Sequence, residues 1–213
     1  MSEQPAARWS EPTAAGLQDG ELPGQPWPLL HCWLSEAQSV VADEGLAMFL
    51  ASVDAQGRPH ARMLLLRGVD EHGLLFFSHY QSAKGQEFAG NPYAAAVFHW
   101  PALQRQLRIE GVVERLGALQ SDQYYQTRPR ASRLGAWASE QSQVLSGRGE
   151  LEAQFALCKY RFLDREPPRP ANWGGYRLLP QRMEFWQARP ARLHDRHNYR
   201  LQDGQWLRER LAP

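Results

Sequence analysis

Several features that would quickly betray a function are missing from this sequence. Only two cysteines, Cys32 and Cys158, occur in 213 residues. They form no CxxC pair and no metal-ligand spacing, which argues against a disulfide framework and fits a reducing compartment. No apolar run reaches the roughly 20 residues that a membrane-spanning helix needs. The formal net charge is +1, from 24 Lys plus Arg against 23 Asp plus Glu, so bulk charge gives no support to nucleic-acid binding. Lysine is scarce, with Lys84 and Lys159 the only two. Arginine, whose planar fork suits phosphate and carboxylate, supplies the other basic groups, although a bias in composition is the plainer reading of that fact. There is no GxGxxG, no P-loop and no GxSxG elbow, which removes support for a Rossmann dinucleotide site, a P-loop NTPase or a serine hydrolase of that type. Residues 1–24 lack a basic region followed by an apolar stretch, so they are no secretory signal. The cytoplasm is the expected location, with no membrane and no nucleic-acid partner.

What is present describes a globular chain. Hydrophobic residues make up 43% and charged residues 22%, enough to build a core. Residues 1–26 hold Pro5, Pro12, Pro23 and Pro26 without an apolar period and read as a mobile arm; residues 27–213 read as one domain. From Pro28, Leu29, Leu30, Trp33, Leu34, Ala37, Val40 and Val41 recur at helical spacing. Ala47 to Val53, a turn at Asp54 to Gly57, and Arg62 to Arg67 read as a hairpin. A strand at Leu74 to Ser78 precedes a short helix, Ser82 to Ala89. Ala94 to Trp100 and Gln106 to Leu116 read as strands, and Leu119 to Gln126 and Glu150 to Phe162 as helices. Arg165 to Pro170 is a stiff loop. Three short strands follow: Arg177 to Leu179, Arg182 to Gln187, and one near Tyr199. The pattern predicts a mainly β protein with peripheral helices, an antiparallel barrel of the α+β class.

Three clusters could carry chemistry. In the first, Arg62, Met63, Leu64, Leu65, Leu66 and Arg67 lie on one strand, where alternation sends the two arginines to opposite faces, about 17 Å apart. They could serve two anions, but surface charge is the plainer reading. In the second, Ser82 is an N-cap with Lys84 in the first turn, a natural phosphate site that is more often an ordinary capped helix. The third is Glu184 to Gln187 followed by Arg192, His194, Asp195, Arg196 and His197. The HxxH spacing is weak grounds for a metal, and no metal is expected. A strand would put Arg192, His194 and Arg196 on one face, suited to an anionic or electron-rich ring; a solvated basic edge is the competing reading. Tyr124, Arg128 and Ser132 could donate to a phosphate, or could be no more than a helix end and a polar loop.

The order of these segments, more than any one of them, resembles the pyridoxamine 5'-phosphate oxidase family. The resemblance runs from Trp27 to Pro213 through Arg62 to Arg67, Ser82 to Gly85, Arg105-Gln106, Arg128-Pro129 with Ser132, Gly135 to Trp137 and Gln141-Ser142. It continues through Trp173 to Arg177, Glu184 to Gln187, Arg192 to Arg196 and Arg210 to Pro213. It implies an FMN-binding split β-barrel and a homodimer with FMN at the subunit interface, residues from about 170 to 213 serving dimerisation and substrate binding. By motif, it implies FMN contacts from Arg62 to Arg67 (Met63, Leu64, Leu65 and Leu66 between them), Phe77, Ser78, Lys84, Gln106, Gln141, Ser142, Trp186 and Arg196. Substrate contacts would be Arg67, Tyr124, Arg128, Ser132, Arg192 and His194, with Arg192, His194 and Arg196 as the catalytic group. The implied reaction oxidises pyridoxamine or pyridoxine 5'-phosphate at C4' to pyridoxal 5'-phosphate, with O2 as acceptor and H2O2 as product. The chain departs from the family's usual pattern in having Arg67 for a lysine, Ala83 for a basic residue, and Arg8 to Pro12 where the arm often carries a Tyr. A related oxidase of another ring, such as a phenazine precursor, and a non-catalytic FMN- or pyridoxal-phosphate-binding protein are the alternatives.

Overall fold

The computed structural model describes residues 16–213. The expected arm therefore lies largely outside the described residues, Arg8 to Pro12 included. The chain forms two compact units. The first takes the described residues up to Leu46 together with Val97–Ile109 and Gln181–Pro213; the second takes Ala47–Ala96 and Glu110–Pro180.

In the first unit, helix α1 (Pro26–Val41) begins at a proline, whose fixed φ and missing N–H suit a first helical turn. It buries Leu30, Trp33, Leu34 and Ala37, the face that the helical spacing predicted. Trp33 meets Phe185 edge-on at 5.1 Å and Trp100 at 6.3 Å, and Phe185 meets Tyr199 at 5.7 Å. The Trp100 indole N–H donates to the Gly45 carbonyl at 2.9 Å, so burying the ring leaves no donor unpaired.

The second unit opens with a hairpin of β1 (Ala47–Val53) and β2 (Pro59–Leu65). Asp54 Oδ1 accepts from the Gln56 and Arg58 amides, and Gly57 takes φ 79°, so the turn closes where the sequence placed it. β3 (Gly68–Val69) and β4 (Leu74–His79) follow, then α2 (Ala83–Gly90). β5 (Tyr93–Trp100) and β6 (Arg105–Arg115) lead into α3 (Ala118–Thr127), α4 (Arg130–Ala138) and α5 (Arg148–Arg161). The chain ends with β7 (Trp173–Gln187), β8 (Asp195–Gln202) and β9 (Gln205–Arg210). Hydrogen-bonded neighbours run β2-β1-β5-β6-β7-β4-β3, with β8 on β7 and β9 on β8. The core of the second unit includes Met48, Leu50, Phe76, Phe88, Tyr176 and Leu178, with Phe76 stacked on Tyr176 at 5.3 Å.

Four expectations change. β2 ends at Leu65, so Arg67 lies beyond the strand that was to carry it. The polar stretch after Arg128 is not loop throughout, because Pro129 ends α3 and caps α4. Two of the three short strands after the Pro-rich loop are one strand, β7, which runs through Pro180. It pairs β4 through Leu178 and β8 from Arg182, so the proline falls where the strand changes partner and its missing N–H leaves both of these ladders intact. Arg192 closes a short 3-10 turn, Pro190–Arg192, with Ala191 and Arg192 at φ 55° and 61°, so strand alternation does not put Arg192, His194 and Arg196 on one face. β9 was not expected.

Candidate functional site

The second unit holds a cavity of about 570 Å³. Ten residues singled out by sequence line it: Met63, Leu64 and Leu65 from β2, Arg67 beyond it, Phe77 and Ser78 from β4, Tyr124 from α3, Arg128, Ser132, and Gln141. Ala47, His79, Gly135, Ala136 and Trp173 complete the lining. Its floor is aromatic. Phe77 stacks on Tyr124 with ring centroids 3.6 Å apart and on Trp173 at 5.7 Å, and the three planes lie within 15° of one another. The Arg128 guanidinium lies 4.5 Å over the Trp173 ring. Burial holds its pKa below the usual arginine value, with the Arg67 charge adding to the effect. Its Nη1 is buried without a hydrogen-bond partner among the described residues. A stacked, partly desolvated guanidinium over an aromatic floor is prepared for a planar anionic ligand.

Ser78 connects this cavity to the start of α2. Lys84 Nζ donates to Ser78 Oγ at 3.1 Å, Ser82 Oγ at 3.2 Å and Gln141 Oε1 at 3.0 Å. Ser78 Oγ also donates to Gln141 Oε1, at 3.0 Å. Lys84 is buried, not the surface lysine of an ordinary capped helix. Its pKa is pushed down to about 8, first by burial and then by the Arg62 charge, with Glu87 opposing. Ser82 caps α2 as expected, accepting from the Gly85 amide. The Ala83 N–H meets Ser142 Oγ at 3.2 Å, and Ser142 takes φ 75°. A helix N-terminus, a buried ammonium and a hydroxyl thus converge, the donor set that a phosphate monoester takes.

Arg62 points elsewhere than Arg67. Its Nη1 donates to Ser52 Oγ at 2.5 Å, and its Nη2 pairs with buried Glu87 at 3.0 Å. Ser52 also bonds Glu87. Leu66 is buried in the core.

The remaining predicted residues belong to the first unit. Trp186 packs on the His194 ring with centroids 4.6 Å apart. The Arg189 amide donates to His194 Nδ1 at 3.1 Å, so the neutral ring carries its proton on Nε2, which is a donor. Arg196 Nε donates to buried Glu184 at 2.8 Å and its Nη1 to the Ala212 carbonyl at 2.8 Å; the first of these raises its pKa. Arg108 holds the other Glu184 oxygen at 2.8 Å. Gln106 is half-buried on β6. Among the described residues no three His, Cys, Asp or Glu side chains gather to hold a metal ion, and no helix is long and apolar enough to cross a membrane. Sequence reasoning did not single out His79 or Glu87. His79 was within reach, two residues beyond Phe77 and therefore on the same strand face.

Comparison with known proteins gives a consistent picture. Residues 35–162 match a model described as pyridoxamine 5'-phosphate oxidase. Residues 173–213 match a pyridoxine 5'-phosphate oxidase C-terminal dimerisation region, which supports a homodimer. The chain is 56% identical to the pyridoxine/pyridoxamine 5'-phosphate oxidase of Pseudomonas putida (strain GB-1), over 94% of each chain. It is 57% identical to that of Azotobacter vinelandii, over 93% of this chain and 94% of the other. It is 54% identical to that of Pseudomonas paraeruginosa over the whole of both. Among solved structures, PhzG from Burkholderia lata 383, in complex with tetrahydrophenazine-1-carboxylic acid, matches with TM-score 0.86 and 31% identity, over 91% of this chain and 95% of the other. A pyridoxamine 5'-phosphate oxidase-related, FMN-binding protein from Nostoc punctiforme matches in fold, with TM-score 0.72 and 20% identity, over 90% of this chain and all of the other. The fold is the mainly β split barrel expected from the sequence.

Proposed function

The chain belongs to the pyridoxamine 5'-phosphate oxidase family, and from that premise we propose that it oxidises pyridoxamine and pyridoxine 5'-phosphate to pyridoxal 5'-phosphate, with FMN as cofactor and O2 as acceptor. The observation that carries the reading is the cavity, where a stack of parallel aromatic rings meets the cationic and hydroxyl groups of Arg67, Tyr124, Arg128 and Ser132. A phosphorylated pyridine has the same two halves, a ring to stack and a dianion to hold.

FMN fits the residues present. Lys84, the Ala83 N–H and Ser142 would hold its phosphate, and the Arg62 charge adds to the field there. Met63 and Leu65 are exposed at 51% and 38%, an apolar strand edge that a planar ring would cover. When bound, FMN supplies a two-electron acceptor that O2 regenerates, with release of H2O2. The protein's own part is orientation and charge: Arg67, Tyr124, Arg128 and Ser132 fix the phosphate, and the floor fixes the plane of the ring. On this reading Arg192 and His194 meet the substrate ring, where His194 Nε2 donates, and Gln106, Gln141, Trp186 and Arg196 meet the flavin. A homodimer with FMN at its interface and a cytoplasmic setting belong to the same reading.

The test is aerobic turnover of pyridoxine 5'-phosphate by FMN-loaded protein, with aldehyde and peroxide followed together. Both rise in step, and Arg192→Ala lowers kcat/KM by roughly a hundredfold or more, in line with loss of a charged contact made in the transition state. A bound flavin with no product from either phosphate would overturn the assignment. The likeness to PhzG favours a second reading, oxidation of a reduced tricyclic acid. Turnover of such a ring, with none of the pyridoxine phosphate, would select it.

A further inference from the structure

β4 ends at His79, and the chemistry proposed above leaves this residue without a task. The register pairs Phe77 with Gly175 and His79 with Trp173, so the imidazole stands on the face that carries the aromatic floor. It lines the cavity, and the residue is only 7% exposed. Its Nδ1 has no hydrogen-bond partner among the described residues. The strand end cannot easily shift to provide one. The Ser82 amide and hydroxyl donate to the His79 carbonyl at 3.3 and 2.7 Å, tying it to the cap of α2.

The charges around the ring have one sign. Lys84 on α2 and Arg128 at the end of α3 act on it directly, and Arg67 and the Tyr124 hydroxyl also line the cavity. Burial first, and then the Lys84 and Arg128 charges, push its pKa down to about 4, so the imidazole is neutral in the ligand-free protein. An imidazole at the wall of a ligand-sized cavity, with one buried nitrogen lacking a partner among the described residues and two cations nearby, is complementary to an anion.

We propose that His79 contacts the substrate, hydrogen-bonding its phosphate-bearing end and taking up a proton as that dianion enters the cavity. The inference rests on the proposed function in taking the ligand to be a phosphate ester. A dianion set between Arg128 and His79 reverses the local field, and an imidazolium N–H to a phosphate oxygen is a charge-assisted bond. Proton uptake makes binding tighter as pH falls into the range between the free and bound pKa values.

The experiment uses FMN-loaded protein labelled with 15N-histidine. The ring signals of His79 are identified by their absence in His79→Asn. They are titrated with pH alone, with pyridoxal 5'-phosphate, and with inorganic phosphate. The expected result is an upward move of the His79 midpoint by about two pH units or more with either ligand, enough to reach the range where the phosphate is a dianion. His79→Ala should bind pyridoxal 5'-phosphate roughly tenfold more weakly at unchanged FMN content. An unmoved midpoint with the site saturated, or His79→Ala binding like the wild type, overturns the proposal. If His79→Ala fails to fold, the wild-type midpoint decides. If inorganic phosphate moves the midpoint but the protein binds and oxidises no phosphorylated pyridine, His79 stands as an anion contact and the proposed function fails instead.

Discussion

Lys84 is buried in the first turn of α2, yet among the described residues its ammonium is hydrogen-bonded only to neutral oxygens, those of Ser78, Ser82 and Gln141. Its pKa, lowered to about 8, shows what that costs. In the unfolded chain it titrates near its ordinary value, so between about pH 8 and that value the unfolded state binds more protons and the group's contribution to stability rises with pH. Below pH 8 the buried charge lowers the stability of the FMN-free protein; it is there for a ligand. Lys84→Met should therefore leave the thermal midpoint of FMN-free protein unchanged or higher, while weakening FMN binding about tenfold to a hundredfold, the weight of a charge-assisted hydrogen bond. In the wild type, FMN affinity should fall as pH rises above about 8, and the variant should lose that dependence. Flavin fluorescence quenching during titration of FMN-free protein reads both, and a lower midpoint with unchanged affinity would mark Lys84 as structural. At this scale the sequence was legible where chemistry has a positional rule. Ser82 as a cap, and Phe77 and Ser78 at a strand end, could be read from spacing. Burial of Lys84 could not, because it depends on Ser78 and Gln141, which lie 6 and 57 residues away.

Helix α2 shows how an element places these groups. Gly85 sits in its first turn, where a Cβ would strike the carbonyl oxygen of Tyr80 and lie 2.8 Å from that of His79. The helix can thus approach the end of β4 closely enough for Lys84 to reach Ser78. Gly85→Ala gains helix propensity of about 1 kcal/mol but overpacks this contact by about 1–3 kcal/mol. A net loss of up to about 2 kcal/mol is expected, seen as a lower urea midpoint at constant slope; a stabilising result would mean that the approach is not tight. Other elements show where local signals failed. The β8–β9 hairpin was announced by Asp203-Gly204, both at positive φ, a dipeptide made for a two-residue turn, and it was passed over. β7 runs through Pro180, between the two strands expected from the sequence; a proline inside a run argues against a strand, and the change of partner from β4 to β8 accounts for its tolerance. α4 was missed because Arg130, Ser132 and Arg133 hide a buried face made of Leu134, Ala136 and Ala138.

For the whole molecule, the match of residues 173–213 to a dimerisation region makes oligomeric state the natural measurement. Sedimentation equilibrium of FMN-loaded protein should give twice the chain mass, with one FMN per chain. A monomer that retains FMN would separate flavin binding from dimerisation and remove the interface from the reading. The mainly β class and the family were legible from end to end because the motifs occur in order, each fixed by local chemistry. The gathering of Arg67, Phe77, Tyr124, Arg128, Ser132 and Gln141 around one cavity was not, since no spacing along the chain encodes it.

β4 takes its register from residues made about a hundred positions later, Leu74 against Leu178 and His79 against Trp173. Such distant pairing is slow to nucleate and cannot begin until residues 173–178 have left the ribosome. Until then Phe76 and Phe77 lie on a strand without that partner, and Tyr124 has no Trp173 to stack beside. A nascent chain, or one cut short before Trp173, exposes an apolar strand edge of the kind that recruits chaperones or seeds aggregates. The cavity is therefore a late feature of synthesis, and its completion reports that the chain has been made through Trp173.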